Sequence, residues 1–406
     1  MKALAIAPQP FFSPRGTPFS VYYRTLVTAE LGIEVDLLTY GEGQDVEIPG
    51  VRIIRIPRFG FLGNVKVGPS LLKLFLDGFL ILWTVALLVR HRYDFVHAHE
   101  ESVFYCRFLK PIFRFKLVYD MHSSLPQQLT NFKFTTSGLL IGSFKWLEDS
   151  SLKASDAVIT ICPDLAEYAE SILPDRDKHI LIENSILDPV GVGTECTAGG
   201  SKGSEPAMDE ETAALIEGKR LVVYAGTLEP YQGIEILLKA FSRVVERDLN
   251  AFLLVAGGTK EQVDYYREMA RRLGIEMQCL FTGRVPQSLA RQYSSKATVL
   301  VSPRSQGTNT PLKIYEQLAS GIPLVATRIH SHTQVLDDSV AILVDPEPDD
   351  LAQGLLKALN GDGEAARVVA NALRLYQQRY SRPVYVEKMH HLLQILDLNS
   401  GPTKRK

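Results

Sequence analysis

Short apolar runs and amphipathic stretches alternate along this chain, and the alternation occurs twice with a break between. Strand-like runs fall at 3–7, 35–39, 51–56, 95–99, 116–120, 157–161 and 180–183. Helical patterns at 19–31, 71–89, 139–154 and 163–172 lie between several of them. The runs carry apolar residues on both faces, as in strands covered on both sides, and parallel pairing then needs crossover helices. Residues 191–204 are small and poor in apolar side chains and read as a flexible linker. Beyond them strands are expected at 221–225, 252–256, 278–282, 298–302, 324–326 and 341–344. Helices are expected between these at 234–247, 261–273, 287–295, 311–320 and 349–359, and two final helical stretches, 364–380 and 384–396, have no strand after them.

The expected architecture is α/β: two Rossmann-like domains facing each other across a central cleft. A length of 406 residues is long for one core and suits two. The expected bounds are 1–188 for the first domain, 189–218 for the linker and 219–380 for the second, with a terminal helix at 383–398 returning to the first. In open α/β sheets ligands bind beyond the carboxyl ends of the strands, so the loops there are where chemistry is sought.

A formal net charge of −2 gives no excess that would draw nucleic acid, which excludes that partner class. Cys106, Cys162, Cys196 and Cys279 show no C-x-x-C spacing, so a reduced, cytoplasmic chain is expected. The N-terminal apolar run is too short for a signal peptide and reads as a first strand. Residues 71–89 are strongly apolar, but Lys73 and Asp77 interrupt them, favouring a helix packed on a sheet or dipping into a membrane surface over a span. Between Arg52 and Lys116 eleven basic residues face only Asp77, Asp94, Glu100 and Glu101, beside Phe59, Phe61 and Leu62. That region, 52–116, suits an anionic leaflet, a surface at the inner face of the cell membrane. A solvated basic face is the alternative.

The segment from Ser302 to Thr327 holds the densest chemistry. A buried strand leads into a small, polar loop from Ser305 to Thr310, and a helix is expected to open at Pro311. Such a junction binds anions, because free backbone N–H groups and the helix dipole point at the loop. Arg304 and Lys313 flank it with positive charge, and Glu316 lies one turn inside the helix, able to accept from sugar hydroxyls. A capped helix with a solvated Glu316 would give the same short pattern.

The longer phrase Thr-Pro-Leu-Lys-Ile-Tyr-Glu-x-Leu-Ala-Ser-Gly-x-Pro-Leu-Val-Ala-Thr resembles the donor-binding segment of family 4 (group 1) retaining glycosyltransferases, which have the GT-B fold. In that family a Glu-x7-Glu pair brackets the nucleotide-sugar. Glu316 sits at the second position and Thr308 takes the place of the first. Many members carry Arg after the glycine matched by Gly226, and Lys before the one matched by Gly233. Here Thr227 and Gln232 stand instead. A cationic clamp is a large factor in phosphate chemistry, and Arg304 with Lys313 would restore its charge. The resemblance implies a donor site of Gly16, Gly226, Thr227, Gln232, Arg284, Arg304, Gly307, Thr308, Asn309, Thr310, Lys313 and Glu316. It also implies catalytic roles for His122 and Glu316, since Tyr-Asp-Met-His-Ser-Ser-Leu resembles the segment whose histidine faces the transferred sugar. His99-Glu100 resembles a segment on the acceptor side.

Read without the resemblance, a lone histidine at a strand end is more often structural. His97 and His99 share one strand face with no nearby carboxylate pattern, so they are expected as buried polar residues. Asp175-Arg176-Asp177 follows Pro174 and reads as a solvated turn, so no metal and no cofactor are expected. The implied activity is metal-independent transfer (EC 2.4 class), with retention, from a nucleotide-diphosphate sugar to a glycan or lipid-linked acceptor by front-face displacement. Two alternatives stay open. One is a nucleotide-sugar 2-epimerase. The other is a non-catalytic nucleotide-sugar binder or membrane scaffold, motivated by Thr308, Thr227 and Gln232.

Overall fold

A computed structural model describes residues 1–13, 16–58, 71–124, 138–186, 207–361 and 363–398. Phe59, Phe61, Leu62, Lys66, Cys196 and most of the expected linker lie outside them. The chain forms two compact units, the first built on residues 1–186 with 382–398, the second on residues 207–381.

In the first unit seven strands are β1 (Lys2–Ala7), β2 (Glu34–Thr39), β3 (Val51–Arg55), β4 (Phe95–His99), β5 (Lys116–Met121), β6 (Ala157–Thr160) and β7 (His179–Leu181). They pair in parallel in the order β3-β2-β1-β4-β5-β6-β7, so the order reverses between β1 and β4. Helices α1 (Thr17–Glu30), α2 (Leu71–Arg90), α3 (Val103–Phe113), α4 (Gly138–Ala154) and α5 (Pro163–Ile172) supply the crossovers. Side-chain alternation splits the core in two. Ala3, Ala5, Val35, Phe95, Val118 and Ile159 pack against α1 and the last helix, while Leu4, Ile6, Leu38, Val96, Leu117 and Tyr119 meet α2, α3 and α5.

The second unit has α6 (Glu210–Ile216), β8 (Arg220–Ala225), α7 (Ile234–Arg247), β9 (Ala251–Ala256), α8 (Lys260–Arg272), β10 (Cys279–Gly283) and α9 (Gln287–Ser295). It continues through β11 (Val299–Ser302), α10 (Lys313–Ala319), β12 (Leu324–Thr327), α11 (His330–Thr333), β13 (Ile342–Val344), α12 (Pro348–Asn360) and α13 (Gly363–Leu375). Its six parallel strands run β10-β9-β8-β11-β12-β13, with the reversal between β8 and β11. Val222, Tyr224, Leu253, Val255 and Val301 face α7 and α12. A π turn, Tyr376–Tyr380, then leads to α14 (Arg382–Ile395), which packs on α1 in the first unit.

Three expectations change. Residues 189–218 are not linker throughout, because Asp209 caps α6 by accepting from the Thr212 N–H at 2.7 Å. Helix α3 is an additional element, since its basic residues and Pro111 obscure an apolar stripe that buries Val103 and Cys106. Helix α10 starts at Lys313, not Pro311: the Pro311 carbonyl closes a tight first turn with the Ile314 N–H at 3.0 Å, and the α-helix proper has only seven residues.

Among the described residues α2 alone is long and apolar enough to cross a membrane by length and composition. Its Leu76, Leu80, Thr84, Leu87 and Leu88 are buried along one stripe against the first sheet, while Leu74, Phe75, Leu82 and Val89 are exposed.

Candidate active site

Both loops that leave the reversal point of the second sheet carry predicted donor residues. After β8 come Gly226 and Thr227, and the Tyr224 hydroxyl donates back to the Thr227 carbonyl at 2.6 Å. Gln232 Nε2 donates to Thr227 Oγ1 at 3.4 Å, so the two replacements of the usual cationic pair are bonded to each other. Gly233 follows with φ 75°, a conformation that favours glycine, and caps the 14-residue α7. A Cβ at this position would stand 1.9 Å from the Pro303 carbonyl oxygen, so only glycine lets the two loops touch.

After β11, Arg304 lies over the Tyr231 ring, 5.2 Å from its centroid, and donates to the Asn309 carbonyl at 3.1 Å. The Arg304 carbonyl accepts from Thr327 Oγ1 at 2.5 Å, which ties the loop to the end of β12. His332 braces the same place, with Nε2 3.0 Å from Ser302 Oγ and Nδ1 2.8 Å from the Thr327 carbonyl. Lys313 Nζ sits 4.1 Å from the Tyr224 ring centroid and 3.6 Å from where a Gly226 Cβ would be. The residue as a whole is only half-buried, yet its ammonium atom is out of solvent and has no hydrogen-bond partner. Burial first, and Arg304 second, push its pKa down to about 7. A buried ammonium with no hydrogen-bond partner, beside a guanidinium, is chemically suited to an anion.

Gly226, Thr227, Gln232, Arg304, Asn309 and Lys313 thus gather at the switch point. Gly307 folds over the Arg304 guanidinium, and Thr310 is buried with Oγ1 unpartnered. Thr308 is exposed, and its carbonyl accepts from Gln334 Nε2 at 2.5 Å. Glu316 is bonded to Arg291 of α9 at 2.9 Å. Arg284 is exposed on a hollow of about 530 Å³ formed by Gly258, Thr259, Lys260, Asp264 and Arg267 at the ends of β9 and β10, where Gly257 bridges Gly283 and abuts the Gly226 carbonyl. Gly16 belongs to the first unit, as N-cap of α1. With α10 so short, the anion site rests on the two cations and on α7 more than on the predicted helix dipole.

In the first unit His122 lies past the end of β5, buried. Parallel register sets His99 beside Asp120, giving the histidines a carboxylate on the neighbouring strand that sequence order hides. Asp120 Oδ2 is 3.0 Å from His97 Nε2 and 3.4 Å from His99 Nδ1, its Oδ1 is 3.3 Å from His122 Nε2, and His99 Nδ1 is 3.1 Å from His122 Nε2. By distance alone His97, His99 and Asp120 could hold a metal. The donor set does not suit one, because the Arg24 guanidinium bonds Asp120 Oδ2 at 3.0 Å and already supplies the positive charge. Burial pushes His122 down to about 4 and His99 well below its usual range, so both are neutral at physiological pH. Burial opposes ionisation of Asp120, but His122, Arg24 and His97 together hold its carboxyl well below the usual range.

Beyond β2 and β4 lies a second carboxylate group that sequence reasoning had marked only at Glu100. The Tyr40 hydroxyl donates to Asp77 Oδ1 at 2.5 Å, and Lys73 Nζ pairs with Glu101 Oε1 at 2.8 Å. Burial, then repulsion from Glu101, raises Asp77 and Glu100 to about 7. Glu100 has φ 50°, unusual for a residue with a Cβ and a form of strain that collects at functional sites. Asp175-Arg176-Asp177 is a turn in which Asp175 accepts from the Asp177 N–H.

The buried neutral histidines predict how stability depends on pH. His122 and His332 each have a folded pKa of about 4, below the unfolded value near 6.5, so the unfolded chain binds more protons between those limits. Their contribution is present above about pH 6.5 and lost as pH falls toward 4. Urea midpoints measured from pH 7 to pH 4 should fall steadily, and those of His332→Gln should fall less steeply.

Two family descriptions match the chain: "Glycosyl transferase 4-like domain" over residues 25–185 and "Glycosyl transferases group 1" over residues 209–374. A D-inositol 3-phosphate glycosyltransferase of Corynebacterium glutamicum is 25% identical over 382 residues, covering 87% of this chain and 86% of the relative. Among solved structures, sucrose-phosphate synthase from Thermosynechococcus elongatus superposes with a TM-score of 0.72 at 18% identity, covering 98% of this chain and 100% of that one. Anabaena HepE in complex with UDP-glucose gives 0.66 at 14% identity, covering 97% and 99%.

Proposed function

Because the chain belongs to the group 1 glycosyltransferases and has the two α/β domains of the GT-B fold, we propose that it transfers a sugar from a nucleotide-diphosphate sugar to a glycan or lipid-linked acceptor, with retention and without a metal. The observation that carries this reading is Lys313, an unpartnered buried ammonium beside Arg304 at the switch point of the second sheet. A diphosphate there would gain two cations and the N-terminus of α7, and the same groups would stabilise it as it leaves. In front-face displacement the leaving phosphate accepts the acceptor's proton, so the protein's task is positioning and charge stabilisation. Glu316, with one oxygen held by Arg291, would take the ribose hydroxyls. His122 would serve the transferred sugar as a neutral hydrogen-bonding group, not as a cation. Asp77, Glu100 and Glu101 would receive acceptor hydroxyls in the first unit. The UDP-glucose bound by HepE makes UDP-sugars the first donors to try.

Purified protein incubated with a panel of UDP- and GDP-sugars should release nucleoside diphosphate and yield glycosylated acceptor with the donor's anomeric configuration. Glu316→Ala should lower kcat/KM about 100-fold with an unchanged melting temperature. Isomerised sugar nucleotide would indicate an epimerase. Binding without turnover across lipid and soluble acceptors would indicate a binding protein.

A membrane role has its own observation. Helices α2, α3 and α4 pack side by side in the first unit and leave Leu74, Phe75, Leu82, Phe108, Ile112 and Trp146 exposed. Arg107 lies between the Phe108 and Trp146 rings, at 4.4 and 5.1 Å from their centroids. Exposed apolar and aromatic side chains on helices that also carry or precede the exposed Arg90, Arg92 and Arg114 suit the interface of an anionic leaflet. Vesicles containing phosphatidylglycerol should retain the protein at low salt and neutral phosphatidylcholine vesicles should not. Phe108→Ser with Trp146→Ser should cut retention roughly tenfold. Equal retention on both vesicle types would remove this role.

A further inference from the structure

The structure assigns Arg24, Asp120 and Tyr385 as positioning residues for His122, through which the chain's last helix, α14, holds that histidine in place. The inference rests on the reading that His122 serves the transferred sugar. Arg24 lies in the middle of α1 and is fully buried. It donates from Nε to Asp120 Oδ2 at 3.0 Å, from Nη1 to Tyr385 Oη at 2.5 Å and from Nη2 to the Ile182 carbonyl at 2.6 Å. One guanidinium therefore joins β5, α14 and the chain just beyond β7, and one of its acceptors lies 361 positions away in sequence.

Stability alone gives a poor account of this pair. Apolar residues of similar volume often replace a buried ion pair at no loss of stability, and the bonds of Arg24 to three separate segments point to a geometric role instead. The geometry it fixes is that of His122, whose Nε2 meets Asp120 Oδ1 at 3.3 Å and His99 Nδ1 at 3.1 Å. The charge balance matters as much. Asp120 is faced by His97 and His99 from β4, by His122 beyond β5 and by Arg24 from α1, with Tyr385 of α14 bonded to Arg24 and Glu100 in the turn after β4. With Arg24 in place the carboxylate already has its countercharge. Without it, the nearest proton acceptors are the histidines, and Arg24 is one of the groups that keep His122 and His99 neutral. Arg24 thus sets both the orientation of His122 and its protonation state.

The test uses the full chain with saturating donor and two readouts, kcat against pH and the ring resonances of His122 in ¹⁵N-histidine-labelled protein. In wild type His122 should not titrate between pH 5.5 and 8, and kcat should carry only the limb near pH 7 that Asp77 and Glu100 impose. Arg24→Gln should lower kcat about 100-fold at pH 7, add a limb that falls a further tenfold toward pH 5.5, and bring His122 into titration between pH 5.5 and 7. Arg24→Lys should keep the wild-type profile. Tyr385→Phe leaves the ion pair standing and should lower kcat three- to tenfold at unchanged KM, so the inference stays testable where Arg24→Gln does not fold. Uniform loss across pH in Arg24→Gln with no His122 titration, or full kcat in Tyr385→Phe, would overturn the wiring. Full turnover in His122→Ala would instead overturn the role of His122 itself, whatever the resonances show.

Discussion

Lys313→Met should lower kcat/KM for the nucleotide-sugar about 1,000-fold while raising the melting temperature of the ligand-free protein. The two effects have one cause. Lys313 keeps its ammonium out of solvent, beside the Arg304 guanidinium and without a hydrogen-bond partner. In the empty protein that arrangement is a cost, since a buried charge without a partner is unfavourable, and a thioether of similar length fills the space over the Tyr224 ring. In the proposed reaction, the same ammonium would stabilise charge that grows on a bound diphosphate as the bond to the sugar breaks. Each kcal/mol of relief should appear as about 2–4 °C in melting temperature. A variant that lost both activity and stability would mean that Lys313 is a structural residue.

Gly233→Ala should be strongly damaging although it removes no polar group. Its φ of 75° opposes any Cβ, and the Pro303 carbonyl oxygen stands 1.9 Å from where one would be. That oxygen belongs to backbone, so the loop after β11 must shift and Arg304 with it. The expected loss is about 3 kcal/mol, roughly 10 °C in melting temperature, together with a rise in donor KM of about tenfold or more. Gly274→Ala is the control. Its φ of 73° is similar but nothing lies within 4 Å of its Cβ, so its cost should be only about 1 kcal/mol.

The sheets were legible because parallel strands covered on both faces carry apolar residues on both sides. The runs around Ile6, Val96, Val223 and Val301 therefore stood out, and all four lie in central strands. Helix ends were harder, since Pro311 and Asp209 act through turn geometry and a cap that a bare pattern does not reveal. Lys313 and Arg304 could be predicted because they flank a strand-to-helix loop in the sequence itself. Their aromatic platforms, Tyr224 and Tyr231, could not, because each sits on a different segment. Asp120 shows the same limit from the other side. It is 21 and 23 residues from His99 and His97, and only strand register brings it between them. Arg24 carried no signal at all: a lone arginine within an amphipathic helix normally faces water, and here it is fully buried.

The diphosphate of the donor is proposed to bind against the Arg304–Lys313 pair. Calorimetric titration with UDP and with GDP at pH 8, in buffers of different ionisation enthalpy, tests it most directly. Lys313 has a pKa of about 7 in the free protein and is mostly neutral at that pH. If a diphosphate binds against it, the lysine must gain its proton, so binding should take up close to one proton per site. Affinity should also weaken as pH rises above 7, and Lys313→Met should abolish both effects. Binding of either diphosphate with no proton uptake, or with the same uptake in Lys313→Met, would contradict the account.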